Sequence, residues 1–260
     1  MQIIMKKKFI AVEGAALLTP SFKDAEALSD LVEDFLDQLT IYRPSHWGII
    51  EPINLKLTMP EIREFLRNGS HDIYWKRKSS PKGWGRFCRR KYPLRGPQFA
   101  YSLFAVSADK SEQVDEITNY FWHLSSAFGM EYAFLDSMVD LYKETARANG
   151  FAPYGNFGIF THELVRSLPD IVWSQIFGPA YVKLFGLNKL LSAPAYKVEQ
   201  LGAETVYIQL SESLFDMHDR YEEVDAVRQA VKRHLDDNIF FDSRNPPDHV
   251  YRVPEFTFPE

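Results

Sequence analysis

The segment SLPDIVWSQIFGPAYVKLFGLNKLLSAP, residues 167–194, has the clearest structural pattern in the chain. Gly178 and Gly186 bracket seven residues of helical character, and Pro179 suits the first turn of a helix. The pattern therefore predicts a short helix that packs onto a sheet. The side chains expected to make that contact are Trp173, Phe177, Tyr181, Leu184 and Phe185.

Downstream of this segment the pattern changes from helix to hairpin and back. Residues 195–200 and 205–210 have the character of two strands joined at Gly202, which is typical of a β-hairpin. Helical spacing follows at 224–235. From residue 242 the chain is rich in proline, so we expect an irregular tail over 242–260.

The first half mixes strands and helices in the same way. We predict strands at 8–13, 47–57, 98–107 and 131–135, and helices at 24–39, 59–66, 111–128, 138–148 and 162–168. No Gly/Ser/Pro-rich linker divides the middle of the chain. The sequence therefore predicts a single α+β domain over residues 1–260, with a mixed, mainly antiparallel sheet and flanking helices.

Charge is unevenly distributed in a chain whose formal net charge is −5. Residues 71–95 contain nine basic residues and one acidic residue, a net charge of +8 in an insertion-like segment. Lys and Arg interleaved with Trp75 and Trp84 suit nucleic-acid binding. In an acidic protein we favour a second reading, in which this hairpin pairs with the chain's own acidic surface. It would equally suit an acidic protein partner.

Motifs for catalysis and metal binding are missing from the sequence. Phosphate-binding glycine loops and a nucleophile elbow are absent. His162-Glu163 begins a zinc motif, but Arg166 stands where the second histidine is needed. Asp216-Met217-His218-Asp219 reads as a solvated acidic turn. No Asp/Glu-x-Lys triplet occurs, which argues against a restriction-type nuclease. We expect no enzyme activity, no cofactor and no metal.

Cysteine content and hydropathy indicate the compartment. Cys88, the one cysteine, cannot form an internal disulfide, which fits a reducing cytoplasm. The apolar run near the N-terminus is broken by Glu13, too early for the core of a signal peptide. No window reaches the roughly 18 uncharged apolar residues of a spanning helix. We therefore expect a cytoplasmic protein without membrane contact.

The pattern L-P-D-x-x-W-x-x-x-F-G-P-x-Y-V-x-L-F-G over 168–186, followed by L-L-x-A-P, resembles the immunity protein 52 family. Chain length and element order are similar to those of type VI secretion immunity proteins of the TsiT kind. The resemblance, which covers residues 167–210, implies a bacterial protein that neutralises a cognate toxin. It further implies a type VI-delivered nuclease with a restriction-endonuclease-like fold as the toxin.

The acidic C-terminal third is the expected contact surface, because nuclease toxins present basic surfaces to DNA. We predict partner contacts from residues of the segment 216–225, with Tyr221 or Phe215 as an aromatic anchor. The predicted contact residues are Asp216, Asp219, Tyr221, Glu222, Glu223 and Asp225. A solvated helix face is the alternative reading of these acids. A nucleic-acid-binding module at 75–95 and an enzyme with a dispersed active site are the alternative functions.

Overall fold

The structure is a computed structural model that describes residues 9–19, 25–68, 72–91, 98–137, 166–242, 244–246 and 248–257. Ten strands lie within these ranges: β1 Ile10–Leu18, β2 His46–Gly48, β3 Leu55–Lys56, β4 Asp72–Arg77, β5 Gly83–Lys91, β6 Gln98–Ala108, β7 Met130–Asp136, β8 Ser174–Phe177, β9 Lys197–Gly202 and β10 Thr205–Gln209. The helices are α1 Ala25–Gln38, α2 Met59–Arg67, α3 Ser111–Ala127, α4 Pro179–Phe185, α5 Leu187–Leu191, α6 Asp216–Asp219 and α7 Tyr221–Leu235, followed by a 3-10 turn at Asp237–Ile239.

All ten strands join one antiparallel sheet in the order β3-β2-β4-β5-β6-β1-β7-β8-β10-β9. The predicted α+β class with a mainly antiparallel sheet is therefore confirmed. β1 lies near the centre, paired with β6 on one side and β7 on the other. Its run Ala15–Leu18 is fully buried, as expected for a strand covered on both faces.

Helices cover both faces of the sheet. On one face, Phe35 of α1 contacts Trp75 and Phe87 of the sheet, and its ring lies 5.5 Å from that of Tyr120 on α3. On the other face, Tyr181 of α4 stacks on Tyr132 of β7 at a centroid distance of 5.0 Å. Because neighbouring residues of a strand point to opposite faces, buried strands such as β1 and β7 contribute to two apolar layers.

The segment 167–194 folds as its pattern predicts. Gly178 precedes α4, Pro179 occupies its first turn, and Gly186 ends it at a φ of +88°. Trp173, Phe177, Tyr181 and Phe185 are buried, whereas Leu184 is half-buried. The segment also supplies β8, which pairs with β7 and β10 and so joins the two halves of the sheet.

The basic segment is part of the sheet rather than an appendage. Residues 72–91 form β4 and β5, a hairpin whose strands pair with β2 on one side and β6 on the other. The strand predicted at 47–57 is instead two short strands, β2 and β3, around a loop. The predicted helix at 138–148 and residues 162–165 of the next one lie outside the described residues.

Candidate functional site

The predicted contact surface lies on α6 and the first turn of α7. α7 buries Val224, Val231 and Leu235 along one stripe, so its other faces are presented to solvent. Glu222 and Glu223 stand in its first turn, where the positive end of the helix dipole stabilises carboxylates. The local sequence thus places acidic side chains at an exposed helix start.

Three of the six predicted contact residues are exposed: Asp219, Glu222 and Glu223. Arg220 stands among them, 2.9 Å from Asp216 and 3.5 Å from Glu223. Glu212, which the sequence prediction did not include, is also exposed and acts electrostatically on Arg220. We call Glu212, Asp219, Glu222 and Glu223 the acidic surface; it keeps net negative charge around the single arginine.

The other three predicted residues are used inside the fold. Asp216 is buried, where it accepts a hydrogen bond from the backbone N–H of Ser213. Asp225 lies 2.9 Å from Arg228 and 3.0 Å from Arg244. Tyr221 is half-buried, and burial raises the pKa of its phenol. These residues position the acidic surface, and whether any of them touches a partner stays a prediction.

Neither aromatic residue expected as an anchor projects into solvent. Arg228 contacts the phenol oxygen of Tyr221 at 3.5 Å and lies 5.7 Å from its ring centroid. Phe215 is partly buried and packs against the core. The acidic surface therefore provides charge, and its neighbouring rings belong to the interior.

A buried ionic network lies beneath the acidic surface. Lys232 is 2% exposed, and its Nζ donates to Asp170 Oδ1 at 2.9 Å and to Asp242 Oδ2 at 2.8 Å. Arg244 donates to both carboxylate oxygens of Asp242, at 2.9 and 2.7 Å. The network thereby ties α7 to the 167–173 segment and to the tail.

Electrostatics in the network follow from burial and pairing. Asp136, at the end of β7, interacts electrostatically with the buried Arg228 of α7. Burial raises the pKa of Asp136 to about 6, although the positive charge of Arg228 opposes the shift. Burial also acts to raise the pKa of Asp242, but hydrogen bonds from Arg244 and Lys232 hold it below its ordinary value. Charged groups removed from water are tolerated here because each has a partner of opposite sign.

The sequence analysis did not predict the buried ionic network, although one feature of the sequence indicates it. Arg228 and Lys232 fall at helical spacing among Val224, Val231 and Leu235, so they lie on the apolar stripe of α7. Charged residues at such positions require buried partners of opposite sign. The identity of those partners, Asp170 and Asp242, depends on tertiary structure.

One of the close serine–histidine pairs among the described residues, Ser137 with His218, has a structural arrangement. Ser137 Oγ lies 2.8 Å from Nε2 of His218, but its hydroxyl donates to the backbone oxygen of Ala11 at 2.6 Å. With its proton on a carbonyl, the hydroxyl is not directed to the imidazole as a nucleophile requires. Within the described ranges, no three His, Cys, Asp or Glu side chains are grouped so that they could hold a metal ion. His162 and Glu163 lie outside them.

Several cations of the basic segment are engaged within the chain. Arg86 forms an ion pair with Asp72 at 2.8 Å, and its guanidinium lies 5.0 Å from the Tyr74 ring centroid. Arg77 donates to the backbone oxygens of Arg43, Ser80 and Pro81. Less positive charge is therefore free to bind phosphate than the sequence count indicates. Cys88 is buried on the same hairpin.

Two of the solved structures to which this chain is similar come from Pseudomonas aeruginosa. One is the Pseudomonas aeruginosa T6SS protein PA0821, with a TM-score of 0.48 and 11% sequence identity over 95% of this chain and 79% of that chain. The other is the toxic C-terminal tip of CdiA from Pseudomonas aeruginosa in complex with immune protein, with a TM-score of 0.31 and 10% identity over 50% of this chain and 87% of that chain.

Neither family models nor curated proteins match the chain. Membership of the immunity protein 52 family consequently stays a prediction from the residues of 167–210. Among the described helices, none has the length and apolar content needed to cross a membrane.

Proposed function

We propose that this chain is an immunity protein that binds and neutralises a cognate bacterial toxin in the cytoplasm. The toxin we expect is a nuclease delivered by type VI secretion, with a restriction-endonuclease-like fold. The resemblance of residues 167–210 to the immunity protein 52 family suggests this function. The structural observation that carries it is the exposed acidic surface, formed by Glu212 before α6, by α6 and by the start of α7.

The acidic surface fits a nuclease because of charge. A protein that binds DNA neutralises phosphates with Lys and Arg, so its working surface is cationic. Asp219, Glu222 and Glu223 would meet such a surface with complementary charge, which raises the association rate and disfavours acidic partners. The buried network under α7 fixes this helix, so little ordering is needed on binding.

The first experiment pairs co-purification with growth rescue. The product of the adjacent gene is expressed alone and together with this chain, and growth and complex formation are both measured. We expect a stable complex and restored growth. A folded, toxic neighbour that forms no complex and is not neutralised would refute the proposed function.

A second experiment tests the surface. The triple variant Asp219→Lys/Glu222→Lys/Glu223→Lys should lower the association rate by roughly 10- to 100-fold at low salt, because steering by complementary charge is lost. A matched control, Glu26→Lys/Asp30→Lys/Asp37→Lys on α1, changes the net charge equally at exposed positions elsewhere. Equal slowing in both variants would show that net charge, not this surface, directs the encounter.

A further inference from the structure

Three large aliphatic side chains project into solvent from one short segment at the edge of the sheet. Ile49 is 54% exposed, Ile50 74% and Leu55 55%. We call residues 49–55, the loop after β2 together with the first residue of β3, the β2–β3 tip. Clustered exposed aliphatic groups are costly to leave in water, and on folded proteins they are typical of interaction sites.

The β2–β3 tip is held in one conformation by its own contacts. Ile53 is buried, and its backbone N–H donates to Glu51 Oε2 at 3.3 Å. Asn54 Oδ1 accepts a hydrogen bond from Lys78 Nζ at 3.0 Å. Below the loop, the Trp47 ring packs edge-on against Phe65 of α2 at 5.4 Å. The two isoleucines are therefore presented outward by an ordered loop, which lowers the entropic cost of binding.

Charge around the tip is mainly positive. Lys56 and Lys78 are exposed, and Lys76 lies 3.8 Å from Glu51. A partner of complementary charge would surround its apolar pocket with carboxylates. A membrane fits less well, because the Glu51 side chain is 68% exposed directly beside Ile50 and a carboxylate is costly to bring toward hydrocarbon.

The acidic surface lacks an apolar anchor of this kind. Interfaces concentrate affinity in a few buried apolar or aromatic side chains, and charged rims contribute mainly to rate and specificity. Tyr221 and Phe215 are occupied by the interior, whereas Ile49 and Ile50 are free of it.

We propose that the β2–β3 tip is the apolar anchor of the toxin interface, with Ile49 and Ile50 inserted into an apolar pocket bordered by carboxylates. This inference rests on the proposed function and adds the contact that sets the lifetime of the complex. The acidic surface then governs the association rate of the toxin, and the tip governs its dissociation rate.

The test measures binding of the purified product of the adjacent gene to the wild-type chain and to Ile49→Ser/Ile50→Ser. Two lost anchors should raise Kd at least ~30-fold, mainly through faster dissociation. Ile49→Val/Ile50→Val should stay close to wild type. Val250→Ser removes an even more exposed aliphatic group elsewhere, at 83% exposure, and should change Kd less than about 3-fold. Since the isoleucines are exposed, an unchanged melting curve will show that the double variant is folded.

Each other result counts against the tip in a distinct way. A double variant that binds like wild type overturns the anchor and leaves the proposed function intact. A wild-type chain that binds no folded, toxic neighbour overturns the proposed function and the anchor with it. Wild-type dimers that become monomers in the double variant would assign the tip to a second copy. Tip-dependent binding to vesicles of phosphatidylserine and phosphatidylcholine would assign it to lipid.

Discussion

Substitution of Gly178 by alanine should strongly destabilise the chain, because the added methyl group would overlap backbone atoms. A Cβ built at Gly178 lies 1.9 Å from the carbonyl oxygen of Met130 and 2.7 Å from the Cα of Glu131. Both atoms belong to the backbone of β7, so no side-chain rotation relieves the overlap. The chain before α4 must move away from β7.

That movement breaks identifiable interactions. The N–H of Gly178 donates to the Glu131 carbonyl at 2.8 Å, and the N–H of Ala180 donates to Glu131 Oε1 at 2.7 Å. Overpacking typically costs ~1–3 kcal/mol, and each hydrogen bond adds about 1 kcal/mol. We therefore expect Gly178→Ala to lower the free energy of unfolding by roughly 4 kcal/mol.

Urea unfolding followed by tryptophan fluorescence gives this difference directly. Gly202→Ala is the matched control, because its nearest atoms are 3.8 Å away and the site is exposed, so we expect a change below about 1 kcal/mol. If Gly178→Ala loses no more stability than Gly202→Ala, then β7 and α4 are not in the tight contact on which this reasoning depends.

Three further substitutions address other parts of the fold. Lys232→Met should lower the free energy of unfolding in urea by about 3 kcal/mol, because Asp170 keeps a buried charge without its closest cation. The control Arg233→Met, at an exposed position of the same helix, should leave the free energy of unfolding almost unchanged. Equal losses in the two variants would contradict the buried ionic network. Burial raises the pKa of Glu131 from 4.5 to about 7. Between these two pH values the folded chain keeps a proton that the unfolded chain releases. The free energy of unfolding should therefore fall by about 3 kcal/mol as the pH rises from 4.5 to about 7. Glu131→Gln should flatten this part of the pH profile of unfolding, and an unchanged slope would refute the assignment. Phe35→Ala should lower stability by about 4 kcal/mol, since its ring contacts three other rings in the core, and a calorimetric loss below about 1 kcal/mol would show a loosely packed layer.

Sequence patterns located the elements with strong local signals. Gly178 and Gly186 fixed the ends of α4, and the hairpin joined at Gly202 lies within a residue or two of its predicted position. Helices α1 and α3 follow from apolar residues at helical spacing. In each case the decisive interaction lies within a few residues along the chain, which is why one sequence suffices.

Elements stabilised by distant partners were harder to predict. β4 and β5 carry so many charges that the segment reads as an insertion, yet their inward residues, such as Trp75 and Phe87, are buried under α1. β1 continues beyond its predicted end through Gly14 to Leu18, because β6 and β7 cover it on both sides. When the pairing partners of a strand lie about a hundred residues away, the sequence of the strand itself shows no pattern that predicts them.

The candidate contact surface was predicted in part for the same reason. Exposed acids at 219–223 follow from the helix start, but sequence does not reveal that Asp216 and Asp225 are paired internally. The sequence also did not reveal that Ile49 and Ile50 are exposed, because isoleucines in a stretch rich in β-branched residues are typical of a buried strand. Only the position of Ile53 under the loop shows which isoleucine is buried.

The central position of β1 affects how the chain is made. Residues Ile10–Leu17 pair with Tyr101–Ala108, so 84 to 98 residues separate the partners, and β7 lies further still along the chain. A ribosome adding ~5–20 residues per second needs roughly 5–20 s to deliver the first partner. During that interval the apolar strand β1 has no pairing partner. We therefore expect the nascent chain to bind chaperones that shield exposed strands.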